Sequence, residues 1–256
     1  MRNLVRDMRS LGDERAPSSL LPAVLAEIGL WDSYAQFAAP IGQSYVAFNR
    51  LGVSAVIRAE SDADVEASFW ARFHRPIRRA GDLPPALERA LTEWSTRSQR
   101  RELSFDLRGL SEFEAAVLRK TLEIPPGQVR PYSWIAREIG NPRAVRAVGS
   151  ALADNPIPLL IPCHRVVRQD GTLGQYGFGS EAKREILKSE GIDVATLERL
   201  SRAHVRYRGS TTTRIYCFPT CRHARRVQPR YTVEFHSETE AIAAGFRACK
   251  VCRPAT

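Results

Sequence analysis

Four of the five cysteines in this chain fall within its last 40 residues, as Cys217-x3-Cys221 and Cys249-x2-Cys252, with 27 residues between the pairs. Spacings of two and three residues let both sulfurs of a pair turn toward one point. Two such pairs complete a tetrahedral shell of the kind Zn²⁺ takes in structural sites. A segment of roughly 50 residues buries too little apolar surface to fold unaided, so a bound metal would supply on the order of 10 kcal/mol of its folding energy. The spacing therefore predicts a small module over residues 215–256, with Cys217, Cys221, Cys249 and Cys252 holding one Zn²⁺. Between the pairs, Ser237-x-x-Glu240 predicts a capped helix over Glu238–Ala244 that Gly245 closes.

Charge is concentrated in the same stretch. The chain carries a net +10, yet residues 1–103 hold 14 basic and 13 acidic side chains and residues 104–200 hold 13 and 12. Residues 201–256 hold 11 and 3. Four thiolates around Zn²⁺ contribute −2, which leaves this tail at about +6. A compact basic module is the electrostatic signature of a polyanion binder, and nucleic acid is the partner it points to. No apolar run approaches the roughly 18 residues of a membrane span, and the first residues lack the apolar core of a secretory signal. Unpaired cysteines fit a reducing compartment, so the expected location is the cytoplasm, with the protein held on the nucleoid.

The rest of the chain divides by pattern. Residues 1–30 read as a helical leader, from the spacing of Leu4, Val5, Met8 and Leu11 and a second helix running to Leu30. Residues 31–103 begin with short β runs punctuated by Gly42 and Gly52. Helices come next, near Asp62–His74 and Pro85–Thr96, and a short strand is expected at Phe105–Leu107. In residues 104–200, Ser111-x-x-Glu114 forms a capping box that opens a helix, and Pro125-Pro126-Gly127 ends that helix. Tyr132–Ile139, Gly140-Asn141-Pro142 and Arg143–Ala153 read as helix-turn-helix, with Pro142 in the first turn of the second helix. That second helix is rich in small residues, which permit close approach to another surface. A helix is expected over Glu181–Glu190, and the basic stretch 201–214 reads as a linker.

The fifth cysteine stands in Ile161-Pro162-Cys163-His164-Arg165. A free thiol is only a few per cent thiolate at neutral pH, so a nucleophilic Cys163 needs a base or a positive field. His164 is the candidate base. Neighbouring side chains on extended backbone point apart, so a turn or a bridging water must bring the two together. Glu190 is a candidate to orient the imidazole.

The pattern Asn155-Pro-x-Pro-x-x-Ile-Pro-Cys-His-Arg-Val-Val, with Gly174-x-Tyr176, Lys183 and Glu190-Gly191 after it, resembles the O6-alkylguanine-DNA alkyltransferases over about residues 37–191. The resemblance implies an α+β fold: a ribonuclease H-like sheet subdomain, then a helical, winged helix-turn-helix-like catalytic domain. It implies stoichiometric, single-turnover transfer of an alkyl group from O6 of guanine in double-stranded DNA to Cys163, with O4-alkylthymine as a further candidate lesion and no organic cofactor. By position, His164 becomes a water-mediated base and Glu190 its orienting acid. Asn155 braces the turn, Tyr132 protonates or polarises the leaving guanine, Arg146 fills the stack behind a flipped base, and Tyr176 lines the base pocket. Gly177 stands where many relatives have serine.

The tail has a resemblance of its own. Tyr216-Cys-Phe-Pro-Thr-Cys-Arg, Phe235-His-Ser-Glu and Ala243-Ala-Gly-Phe-Arg-Ala-Cys-Lys-Val-Cys-Arg-Pro are similar to the zinc domain of the Ada adaptive-response proteins over about residues 209–254. There the first cysteine of the set is both ligand and methyl acceptor from phosphotriesters, which by position is Cys217. Arg222, Arg225, Arg226 and Arg247 are candidates for phosphate contacts. Phe218 replaces the arginine that many relatives carry after the first cysteine, and the zinc module trails where in Ada it leads. The expectation is a monomeric DNA repair protein without a membrane partner. The alternative is a methylation-sensing, DNA-binding regulator whose zinc tail is purely structural.

Overall fold

The computed structural model describes residues 20–28, 30–39, 42–95 and 103–254. The helix expected from Leu4, Val5, Met8 and Leu11 lies outside them. Helix α1 (Leu20–Glu27) is the described part of the leader, ending before Leu30.

Strands β1 (Asp32–Ala39), β2 (Gly42–Asn49), β3 (Gly52–Ile57) and β4 (Ile77–Arg79) form a sheet in the order β3-β2-β1-β4. Its first three strands are antiparallel and β4 joins β1 in parallel. Alternation along β2 separates its two faces. Tyr45 and Ala47 pack with Tyr34 and Ala55 beneath Val65 and Phe69 of α2 (Asp62–Phe73). Val46 joins Val53 and Val56 in the main core with Leu87 and Leu91 of α3 (Pro85–Ser95). A buried ionic cluster closes the sheet's end. Arg75 donates to Asp32 and, at 3.3 Å, to Asp106, and Asn49 bridges the same two carboxylates. The expected strand at Phe105–Leu107 shrinks to a single bridge between Phe105 and Val53.

Helix α4 (Glu112–Leu122) starts on the expected capping box: Ser111 accepts from the Glu114 amide and the Glu114 carboxylate accepts from the Ser111 amide. Strand β5 (Arg130–Pro131) leads directly into α5 (Tyr132–Glu138), and α6 (Val145–Ala153) completes the helix-turn-helix. Helix α6 begins two residues later than the sequence suggests. Pro142 lies in the turn and not in the helix, and Ala144 caps without a side-chain bond. After the Cys163–Arg165 turn, β6 (Val166–Val167) pairs in parallel with β5. Helices α7 (Ser180–Ser189) and α8 (Val194–Arg202) complete this part of the chain.

The segment 201–214, read as a linker, instead holds the end of α8 and strand β7 (Tyr207–Ser210). With β8 (Ile215–Cys217), β9 (Thr232–Phe235) and β10 (Arg247–Ala248), this strand makes a second sheet, ordered β10-β8-β7-β9. A Cβ at Gly209 of β7 would come within 2.7 Å of Phe235 and Phe246, whose rings meet edge to face, so only glycine fits there. Helix α9 (Glu238–Ala243) has its expected Ser237 cap. The architecture is mixed α+β throughout.

Candidate functional site

Strands β5 and β6 build the centre. Their pairing places Arg130 opposite Val166, so Tyr132, two residues past Arg130, is brought beside the turn that ends in Val166. The approach to that turn is strained. Leu159 is fully buried at φ 71°, a left-handed conformation that costs a branched residue about 1–2 kcal/mol. Asn155 holds it in place: its Oδ1 accepts from the Ile157 amide at 3.0 Å and its Nδ2 donates to the Ile161 carbonyl at 3.0 Å. The same Nδ2 lies 3.2 Å from the Cys163 sulfur.

Cys163 is 8% exposed, at the start of its 3-10 turn. Burial pushes its thiol pKa up, and the Asn155 hydrogen bond and the Lys183 charge oppose the rise. His164 is fully buried, with Nε2 at 3.0 Å from Glu190 Oε1. Its Nδ1 has no partner among the described residues. Glu190 caps the end of α7 and also receives the Arg165 guanidinium and the Gly127 amide. Burial alone would raise the Glu190 pKa, but the bonds and charges of His164 and Arg165 outweigh it and hold the carboxyl at about 2.

Two residues of the centre escaped the sequence reading as functional groups. Arg165 spans the site, bonding Glu190 on one side and the Ile124 carbonyl on the other. Lys183 is wholly buried and donates to the Val166 carbonyl at 2.6 Å, and burial lowers its pKa to about 8. The sequence signal for each was its place within the motif, since arginine and lysine otherwise read as surface residues.

A cavity of about 610 Å³ opens over Cys163. Tyr132, Arg146, Gly149, Arg168, Tyr176 and Gly177 are among its walls. Arg146 is exposed on α6, and a Cβ at Gly149 would meet none of the described residues within 4 Å, so this helix presents a shallow face. The Tyr176 ring stands edge-on to His164 at 6.2 Å, with its hydroxyl buried and unpartnered among the described residues. Burial also raises the pKa of Tyr132, and the nearby Cys163 adds to the effect.

The four remaining sulfurs come together in the tail. One ligand atom from each of Cys217, Cys221, Cys249 and Cys252 lies within 4.8 Å of the others, and all four residues are buried. Four soft donors at that separation fit a tetrahedral Zn²⁺ shell. Cys217 and Cys249 line a cavity of about 350 Å³ together with Arg208, His223, Arg247 and Lys250. Arg222, Arg225, Arg226 and Arg247 are all exposed.

The tail packs against the helix-turn-helix. Arg130, buried between the two parts, lies over the Phe218 ring at 5.2 Å and the Trp134 ring at 5.7 Å. Burial lowers its pKa and the four cysteines push it back up. The Val129 amide donates to Thr220 Oγ1 at 2.9 Å, and Arg253 pairs with Glu138 at 2.7 Å. Phe218 is thus part of the seam between the two parts, which accounts for an aromatic residue there.

A buried cysteine with a histidine–glutamate pair, set behind a helix-turn-helix and joined to a four-thiol centre, defines a two-part protein of one reactive and one metal-binding unit. Residues 112–192 match the family model described as 6-O-methylguanine DNA methyltransferase, DNA binding domain, and residues 195–255 match the metal binding domain of Ada. The bifunctional transcriptional activator/DNA repair enzyme Ada of Escherichia coli is 33% identical over 159 residues, covering 61% of this chain and 45% of Ada. The methylated-DNA–protein-cysteine methyltransferase of Rattus norvegicus is 36% identical over 132 residues, which is 50% of this chain and 56% of that protein. The crystal structure of Mycobacterium tuberculosis OGT in complex with DNA superposes with a TM-score of 0.52 at 30% identity, covering 62% of this chain and 93% of that one. The chain belongs to the methylated-DNA–protein-cysteine methyltransferase family. It spans about half the length of the curated relatives it matches.

Proposed function

We propose that the chain repairs DNA by moving an alkyl group from O6 of guanine to Cys163, once per molecule. The observation that carries this reading is the placement of Cys163, bonded to Asn155 and beside the His164–Glu190 pair, at the floor of a cavity under α6. The O6 carbon is inaccessible inside a duplex, so the nucleotide is extruded into that cavity. Arg146 fills the gap in the stack and Tyr176 lines the pocket. As Sγ attacks, a water passes the thiol proton to His164 Nδ1, the ring nitrogen without a partner among the described residues. Glu190 stabilises the imidazolium that forms, and Tyr132 donates toward the leaving guanine. The thioether has no leaving path, so turnover stops. Double-stranded DNA is the partner, bound by a monomer. The sheet subdomain is read as ribonuclease H-like and the catalytic domain as winged helix-turn-helix-like, with the α5–α6 pair in support.

In the tail, one Zn²⁺ held by Cys217, Cys221, Cys249 and Cys252 keeps its thiolates deprotonated. Cys217 is read as a second acceptor, for methyl groups on phosphotriesters, because it lines a cavity with Arg208, Arg247 and Lys250, cations suited to a phosphate backbone. Incubation with a duplex carrying O6-methylguanine, and separately with one carrying methylphosphotriesters, with peptide mass spectrometry as the readout, tests both. Methyl is expected on Cys163 in the first case and on Cys217 in the second. A bare Cys217 would make the tail a structural, DNA-anchoring module.

A further inference from the structure

Arg130 carries a charge that its own part of the chain does not balance. The side chain is buried. Its Nη1 donates to the Val129 carbonyl and its Nη2 to Gln128 Oε1, both at 2.8 Å. Its Nε has no partner among the described residues. The two acceptors are neutral, and among the described residues no carboxylate forms an ion pair with this guanidinium. A cation taken out of water without a counter-charge is strongly destabilising.

The counter-charge lies across the seam. Arg130 rests on the Phe218 ring, and the Val129 amide beside it donates to Thr220. Phe218 and Thr220 both stand in the turn from Cys217 to Cys221. The Phe218 amide donates to the Cys252 sulfur, and its carbonyl accepts from the Cys221 amide at 2.9 Å. The ring under Arg130 is therefore carried by backbone that is bonded into the sulfur cluster. All four cysteines act on Arg130 in the direction that favours its charge. Four thiolates and one Zn²⁺ sum to −2. The other cations near the cluster are placed differently. Arg247 and Lys250 are exposed, and Arg208 is paired with Glu234. Water and salt screen exposed charges, whereas burial keeps the field of Arg130 strong.

We infer that Arg130 is part of the metal site: supplied by the reactive domain, it is the counter-charge of the four-thiolate centre and strengthens that centre's hold on Zn²⁺. The inference rests on the reading of the tail as a Zn²⁺ site. It makes the metal centre a property of the two joined parts and not of the tail alone.

Competition for Zn²⁺ against a chelator, with thermal melts in the presence and absence of the metal, tests this in the full chain, in Arg130→Met and in Arg130→Lys. Methionine keeps an apolar stem and removes the charge, whereas lysine keeps the charge and removes the planar stack. Arg130→Met should bind Zn²⁺ about tenfold to a hundredfold more weakly than wild type, the usual effect of losing a group that supports metal ligands. The rise in melting temperature that Zn²⁺ brings should shrink with it. Arg130→Lys should stay within about fivefold of wild type. Wild-type affinity in Arg130→Met overturns the inference. Equal losses in the two variants also overturn it, and assign Arg130 to packing. Should Arg130→Met not fold, Arg130→Lys decides alone: affinity within about fivefold of wild type supports the counter-charge, and a larger loss overturns it. A wild-type chain that binds no Zn²⁺ removes the underlying reading, and this inference with it.

Discussion

The Glu190 carboxylate is shared between His164, Arg165 and the Gly127 amide, so one side chain ties together α7, the cysteine turn and the loop before β5. Its pKa is about 2, below the ordinary glutamate value. A carboxyl held lower in the folded chain than in the unfolded one contributes stability above the unfolded pKa and loses it as pH falls through the folded one. The window therefore runs from about pH 4.5 down to about 2, and the contribution is on the order of 3 kcal/mol. In urea melts, Glu190→Gln should be less stable than wild type at pH 7, and the gap should narrow as pH falls through that window. A gap independent of pH would mean the carboxylate is not held ionised. The core of this centre was legible from residue order, because Asn155, Cys163 and His164 lie within ten positions on one short turn. Arg165 and Lys183 were not, because nothing local in a sequence marks a cation as buried. Only long-range packing supplies the Glu190 carboxylate and the Val166 carbonyl that receive them.

In the proposed reading, duplex recognition turns on helix α6. Its buried face, Val148, Ala151 and Leu152, anchors it to the core, leaving Arg146, Ala147 and Ser150 on the other side. A side chain that fills a vacated stack offsets an unstacking cost of a few kcal/mol. Arg146→Ala should therefore slow repair of O6-methylguanine in a duplex by about tenfold to a hundredfold. Reaction with the free base O6-benzylguanine, which needs no flipping, should be unchanged. Equal loss on both substrates would place Arg146 in the chemistry instead. Element boundaries were harder to read than element types. The turn before α6 runs past Pro142 because Asn141 and Ala144 close it with a backbone bond of 2.9 Å. Strand β7 was hidden in 201–214 because a short, arginine-rich run shows little alternation. Its partners in β8 and β9 lie up to about 28 residues further on and only the assembled sheet defines it.

Across the whole molecule, the metal module and the reactive domain share one seam. Arg130, 3% exposed, leads by β5 into Tyr132 on one side and rests on Phe218, next to a zinc-type ligand, on the other. Phe218→Ala removes an aromatic ring from this seam and should cost about 3–5 kcal/mol. Calorimetry should then resolve two unfolding transitions where wild type shows one. Removing the metal with a strong chelator should lower the melting temperature of the wild-type chain by more than that of Phe218→Ala, in which the parts are already uncoupled. Equal shifts would mean that the two parts do not support each other. The sequence revealed both parts through their motifs. It could not reveal the seam, whose members, Thr220, Arg253, Glu138 and Val129, come from segments without a shared pattern.

The most direct measurement is a titration of the purified chain with a duplex carrying one O6-methylguanine radiolabelled in its methyl group. Label should rise to one methyl per protein and stop, all of it on the peptide containing Cys163, and Cys163→Ser should acquire none there. Continued turnover, or undiminished demethylation by the serine variant, would contradict transfer to that sulfur.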